Sequence, residues 1–107
     1  ANYPYHVVSS LYSQEQDYLF LVSIEYFSDS TLIAINPLNK DMTKLNPITI
    51  NLNNILSRRI VTTILATNIS YKPTNNGVSI SYAQFILGYM SGHLIVVECK
   101  GKECSIK

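Results

Sequence analysis

The sequence predicts an all-β domain, an antiparallel β-sandwich-like fold that spans residues 1–107. Short β-prone segments follow one another along the whole chain, and turn-forming residues separate them about every 8–12 positions. The length allows one domain, because soluble domains usually hold roughly 100–200 residues. A partly open β-barrel built from the same strands is the alternative architecture.

The first half of the chain contains four predicted strands. Residues 5–12 are β-prone, residues 17–27 are mostly apolar, and residues 31–35 and 48–52 are short segments rich in isoleucine and leucine. Residues 36–41 are predicted as a loop, because a proline that cannot donate a ladder hydrogen bond stands between turn-forming residues.

The segment 53–66 is compatible with two structures. A helix capped by Asn53 or Asn54 would place several isoleucine and leucine residues on one face, which would make the fold α+β. The β-branched run 60–64 favours a strand instead. We predict a short helical turn at 53–57 and then a strand from about 60 to 71.

The last third of the chain predicts an antiparallel meander. The Asn76–Gly77 pair is typical of a tight hairpin turn with positive φ angles. Apolar and hydroxyl residues alternate over 78–82, and a β-bulge near Ala83–Gln84 would restore the inward facing of the apolar residues that follow. Strands at 93–99 and 104–106 complete the meander after two further turns.

Cys99 and Cys104 flank the last of these turns. Because the turn would bring them opposite each other on paired strands, we predict a disulfide between them. Two free thiols, or a metal or redox site, are the alternatives. A zinc site needs four ligands, and His93 is the sole additional candidate nearby in sequence.

No residue pattern indicates catalysis, and no catalytic, cofactor-binding or metal-binding residue is predicted. The chain has no G-x-S-x-G motif, no glycine-rich phosphate loop and no paired carboxylates at a useful spacing. His6 and His93 are interpreted as structural or surface residues. An enzyme would need one of them in a pocket beside a carboxylate.

Composition indicates how the surface is solvated. The chain is 47% hydrophobic and 14% charged with a net charge of +1, so neither nucleic acid nor anionic lipid is an expected partner. No apolar run approaches the roughly 18 residues of a membrane-spanning helix, and the first residues do not resemble a signal peptide. Serine, threonine and asparagine supply 29 residues. This neutral polar surface favours a secreted, cell-surface or virion protein, with a cytoplasmic one as the alternative.

Two further features suggest sites. Asn68 begins an Asn–Ile–Ser acceptor for N-glycosylation. Tyr3, Tyr5 and Tyr12 lie in an apolar N-terminal segment and are the candidate interface residues, because tyrosine is enriched at protein interfaces.

These features predict a non-enzymatic binding or self-assembly module, acting through strand-edge pairing and tyrosine-rich contacts with a protein partner or a second copy. The alternative is a small intracellular, possibly viral, protein that regulates a protein partner. Free thiols at Cys99 and Cys104 would favour that alternative.

Overall fold

The computed structural model describes residues 2–13, 18–27, 30–56 and 61–107, and it contains eight strands and, within those ranges, no helix. The strands are β1 (Asn2–Ser13), β2 (Tyr18–Phe27), β3 (Thr31–Leu38), β4 (Ile48–Asn51), β5 (Val61–Pro73), β6 (Val78–Tyr89), β7 (Leu94–Lys100) and β8 (Glu103–Ile106).

The strands form two antiparallel four-stranded sheets that pack together, so the predicted all-β, sandwich-like class is confirmed. The first sheet has the order β1-β2-β3-β4 and the second has the order β5-β6-β7-β8. Each sheet therefore consists of four consecutive strands joined as a meander, and no strand passes from one sheet to the other.

The helical alternative for residues 53–66 is wrong, because residues 61–66 are part of β5. Residues 52–56, before β5, form a single helical turn, in which the Leu56 N–H donates to the Leu52 carbonyl at 3.0 Å. The predicted turn is thus present over the described positions, while residues 57–60 lie outside the described residues. The β-branched residues of β5 follow their strand propensity since its partner β6 supplies the backbone hydrogen bonds.

The core lies between the two sheets and consists of apolar side chains that alternate along the strands. In β2 these are Phe20, Val22 and Ile24, and in β6 they are Ala83, Phe85 and Leu87. Tyr71 of β5 packs edge-on against Phe20, with ring centroids 4.9 Å apart. The buried aromatic and branched aliphatic residues join both sheets into one hydrophobic core.

The two sheets approach each other most closely along the first strand of each. The backbones of β1 and β2 lie nearest to β5, and the Ala66 N–H donates to the Ser9 hydroxyl at 3.2 Å. At one end of the molecule the loop before β4 meets the turn after β5, where the Asn46 N–H donates to the Asn76 carbonyl at 3.3 Å.

Three local predictions differ from the structure. β3 continues through Pro37, which pairs with Phe20; the proline is tolerated because β4 pairs only with residues 32–35, so no ladder bond is lost at Pro37 on that side. The extra residue in β6 is Ser81, not a residue at Ala83–Gln84, since the register shifts between Ser70 and Tyr71.

The hairpin turn between β5 and β6 also differs. It is a four-residue loop closed by the Thr74 N–H, which donates to the Gly77 carbonyl at 2.8 Å. Among the described residues positive φ angles occur at Met42, Gly92 and Gly101, so neither Asn76 nor Gly77 adopts one. The longer loop removes the need for the mirror-image turn geometry that a two-residue hairpin requires.

Candidate functional site

The face of the second sheet that points away from the core carries an apolar patch, which consists of Leu65, Ile86, Leu94 and Val96. Leu65, Ile86 and Val96 form one row across β5, β6 and β7, because the register pairs them directly. Leu65 is 52% exposed and Leu94 is 70% exposed, while Ile86 and Val96 are half-buried. Neighbouring apolar side chains are thus open to solvent on three adjacent strands.

Gly88 lies beneath one side of this patch. It pairs with Thr63 on β5 and with Leu94 on β7. A Cβ atom added to Gly88 would lie 2.6 Å from the Thr63 Cγ2 atom and 3.3 Å from the Leu94 Cδ2 atom. The side chains of Thr63 and Leu94 therefore cover Gly88 and leave no gap in the surface of the sheet at this position.

The other end of the same face is polar, and its groups bond to one another. The Tyr82 hydroxyl donates to the Glu98 Oε2 atom at 2.5 Å. This hydrogen bond, together with burial and the charge of Glu98, raises the pKa of Tyr82 above its ordinary value. The Thr67 hydroxyl donates to the Gln84 Oε1 atom at 2.8 Å. These polar side chains lie next to the apolar patch and mark where it ends on this face.

The outward face of the first sheet is also apolar over part of its area. Leu19 and Leu21 of β2 and Leu32 and Ala34 of β3 occupy positions that alternate with the core residues. Leu21 is 38% exposed, whereas Ala34 is buried between its neighbours on the sheet. The register pairs Leu21 with Asn36, Ala34 with Ser23 and Leu32 with Glu25, so polar residues interrupt this face.

The predicted disulfide is confirmed. Cys99 and Cys104 are directly opposed on β7 and β8, with their Cα atoms 4.0 Å apart. Cys99 is fully buried in the core, and Cys104 packs against it from the final strand. The disulfide ties the short last strand to the sheet.

The glycosylation candidate Asn68 lies on β5 and is exposed, paired in register with Gln84. Its use as an acceptor stays a prediction. Its position near the polar end of the face places a sugar, if one is attached, close to the apolar patch.

The interface candidates Tyr3, Tyr5 and Tyr12 all lie in β1. The register pairs Tyr12 with Leu19 and is regular from His6 to the end of the strand. The side chains of the three tyrosines lie outside the described part of the structure, so their contribution to an interface stays a prediction.

The histidines occupy different settings. His93 is exposed in the turn after β6, where its Nδ1 atom lies 2.9 Å from the Ser91 hydroxyl. The register pairs His6 with Glu25 across β1 and β2, a neighbour that spacing along the chain does not reveal. Within the described residues no three His, Cys, Asp or Glu side chains are grouped as metal ligands would be. Over the same ranges no helix is long and apolar enough to cross a membrane.

The sequence reasoning missed the apolar patch, although a signal for it exists. Residues 94–97 form an uninterrupted apolar run, as do residues 85–87. A strand buried on one face alternates apolar and polar residues, whereas a strand buried on both faces is apolar at successive positions. The runs therefore indicate that the outward positions of β6 and β7 are suited to burial as well.

Comparison of the chain with protein-family models, with curated proteins and with solved structures finds no match. The function is accordingly inferred from the geometry of the chain itself.

Proposed function

We propose that this chain is a non-enzymatic self-assembly module, and that the apolar patch on the second sheet is its binding surface. The observation that carries the proposal is the exposure of Leu65 and Leu94 beside Ile86 and Val96 on three adjacent strands. Grouped apolar side chains of this kind mark interaction surfaces, whereas singly scattered ones do not.

The energetics favour a partner over solvent. Full burial of a leucine side chain is worth about 1.5–3 kcal/mol relative to exposure. Burial of Leu94 in an interface would therefore give most of this stabilisation, because Leu94 is 70% exposed in the isolated chain. The bordering bond from Tyr82 to Glu98 supplies the polar rim that interfaces commonly have.

The disulfide supports a secreted or surface location for the module. Disulfides persist in oxidising compartments and are rare in the cytosol, and Cys99 and Cys104 are bonded in this chain. Free thiols at these positions would instead favour the alternative, a small intracellular protein that regulates a protein partner.

The N-terminal strand is assigned a secondary role in assembly. β1 is paired with β2 of the same chain, and Ser9 on β1 contacts the edge of β5. Exchange of the segment that holds Tyr3, Tyr5 and Tyr12 would break these bonds before forming new ones. Association through the exposed face requires no such loss.

Sedimentation velocity over a wide range of protein concentrations tests the proposal. The wild-type chain is expected to self-associate as its concentration rises, and Leu94→Asp is expected to remain monomeric because a carboxylate in the patch would be buried without a partner. The matched control is Met42→Asp, which places the same charge on a residue that is also highly exposed but lies outside both sheet faces.

Loss of association in the Leu94 variant alone supports the patch as the binding surface. A wild-type chain that is monomeric at every concentration, or equal association in both variants, would overturn the proposal. Circular dichroism of each variant verifies that the β-structure is retained.

A further inference from the structure

Asn68 is the one asparagine in the sequence that begins an Asn–x–Ser/Thr acceptor, which it forms with Ile69 and Ser70. The tripeptide is short and occurs by chance in a chain rich in serine and asparagine, so its structural setting decides whether it is a site. That setting differs from the setting of the asparagines that hold the loops of this chain together.

The loop asparagines have side chains that are used in the fold. The Asn39 Oδ1 atom accepts hydrogen bonds from the N–H groups of Asp41 and Thr43, both at 3.0 Å. The Asn53 Oδ1 atom accepts from the Thr31 N–H at 2.8 Å. Asparagine is common at such positions because its short amide satisfies nearby backbone groups.

The side chain of Asn68 has no such role. It is exposed on β5, and within the described ranges it makes no hydrogen bond. Its register partner Gln84 is already bonded to Thr67, whose hydroxyl donates to the Gln84 Oε1 atom at 2.8 Å. Asparagine is also depleted in strands. Packing and hydrogen bonding therefore do not account for an asparagine at this position.

A β-bulge precedes the acceptor and sets which way it faces. The register shifts between Ala66 and Asn68, so Thr67 is the extra residue. After the bulge, Asn68 and Ser70 are both exposed, while Ile69 between them is buried in the core. Because alternate residues of a strand share a face, the amide and the hydroxyl of the acceptor lie on the same open side of the sheet.

We propose that Asn68 carries an N-linked oligosaccharide. The inference rests on the secreted or surface location proposed above, because the Cys99–Cys104 disulfide and an N-glycan belong to the same export route. The donor is a lipid-linked oligosaccharide. The Asn68 Nδ2 atom bonds to C1 of the first sugar and releases one proton, while the C1–O bond to the lipid diphosphate breaks and its electron pair leaves with the diphosphate.

The glycan stands at the polar end of the outward face, beside the apolar patch. Asn68 pairs with Gln84, and Leu94, the most exposed residue of the patch, pairs with Gly88. Gln84 and Gly88 are four positions apart on β6, which corresponds to about 13 Å along the strand. The attachment point is therefore separated from Leu94, and the sugar extends the hydrophilic border of the patch.

The intact mass of the protein isolated from the cells that make it tests the proposal. Digestion with peptide N-glycosidase, which leaves aspartate at the linked position, is expected to lower the mass by one oligosaccharide. Asn68→Gln and Ser70→Ala, made in the same cells, are each expected to lack the glycan, whereas Ser70→Thr keeps it because threonine also completes the acceptor. The matched control is Asn75→Gln, at an exposed asparagine outside any acceptor, and it is expected to keep the glycan.

The outcomes separate the glycan from the location on which it rests. A mass that digestion leaves unchanged, on a chain whose Cys99 and Cys104 are bonded, would overturn the glycan and leave the secreted location standing. An unchanged mass on a chain with two alkylatable thiols would overturn both. A glycan that persists in Ser70→Ala would contradict the assignment of this acceptor. None of these results depends on self-association, which sedimentation velocity measures separately.

Discussion

At the scale of single residues, a serine hydroxyl links the two sheets. Ala66 is buried on β5, and its N–H points away from β6, the strand that pairs with β5. It donates to the hydroxyl of Ser9, which reaches across from β1. A buried N–H group without an acceptor is costly, so this hydroxyl is part of the structure and not a chance contact.

Ser9→Ala is expected to lower the free energy of unfolding by about 1–3 kcal/mol, because the N–H of the buried residue Ala66 loses its acceptor. Equilibrium denaturation in urea measures the change. Ser10→Ala is the matched control, since Ser10 is the exposed neighbour on the same strand. Equal stability of the two variants would contradict the role assigned to Ser9.

At the scale of elements, the weakest unit of the second sheet is its last hairpin. β8 has four residues and pairs only with β7, and most of its side chains are exposed. Because few buried contacts hold β8 in place, the Cys99–Cys104 disulfide is what attaches it firmly to β7.

Cleavage of the disulfide is expected to loosen this hairpin and leave the rest of the fold in place. For a sequence separation of 5, the loop-closure contribution to stability is about 2 kcal/mol. Hydrogen exchange of the Cys99→Ala/Cys104→Ala double variant should show the largest increase in exchange rate in β8. In β2 and β3 the loss of protection should not exceed what the roughly 2 kcal/mol fall in global stability produces. A larger loss of protection throughout the chain would show instead that the bond is needed for the whole fold.

Elements also differ in how far the sequence predicted them. Apolar runs and turn residues predict β2, β6 and β7, because both signals are local in the sequence. They do not predict that β3 continues through Pro37, since whether a proline is tolerated there depends on where the neighbouring strand β4 ends. The bulge at Ser81 was placed a few residues too late because alternation marks a phase change without fixing its exact residue.

At the scale of the whole molecule, one core serves both sheets. Tyr18 and Phe20 of the first sheet contact the ring of Tyr71 of the second, with centroids 5.4 and 4.9 Å from it. Aromatic pairs in this edge-on geometry stabilise beyond the area they bury. Neither sheet keeps its buried face covered if the other unfolds.

The chain is therefore expected to unfold in a single transition, with the same midpoint for the backbone signal in the far ultraviolet and the tyrosine signal in the near ultraviolet. Phe20→Leu is expected to lower that common midpoint without splitting it, at a cost below the roughly 3–5 kcal/mol of truncation to alanine. Separate midpoints for the two signals would indicate two independently folding sheets.

The sequence by itself determined the strand content, the order of the turns and the pairing of Cys99 with Cys104, because these depend on neighbours along the chain. The β-branched run in the sequence also predicted the strand that includes residues 61–66. Tertiary structure alone decided that the chain splits into two meanders of four consecutive strands. It also decided that Leu65, Ile86, Leu94 and Val96 come together on an open face. Those outcomes depend on which distant segments pack together, and a linear pattern fixes the spacing of apolar residues but not the surface that covers them.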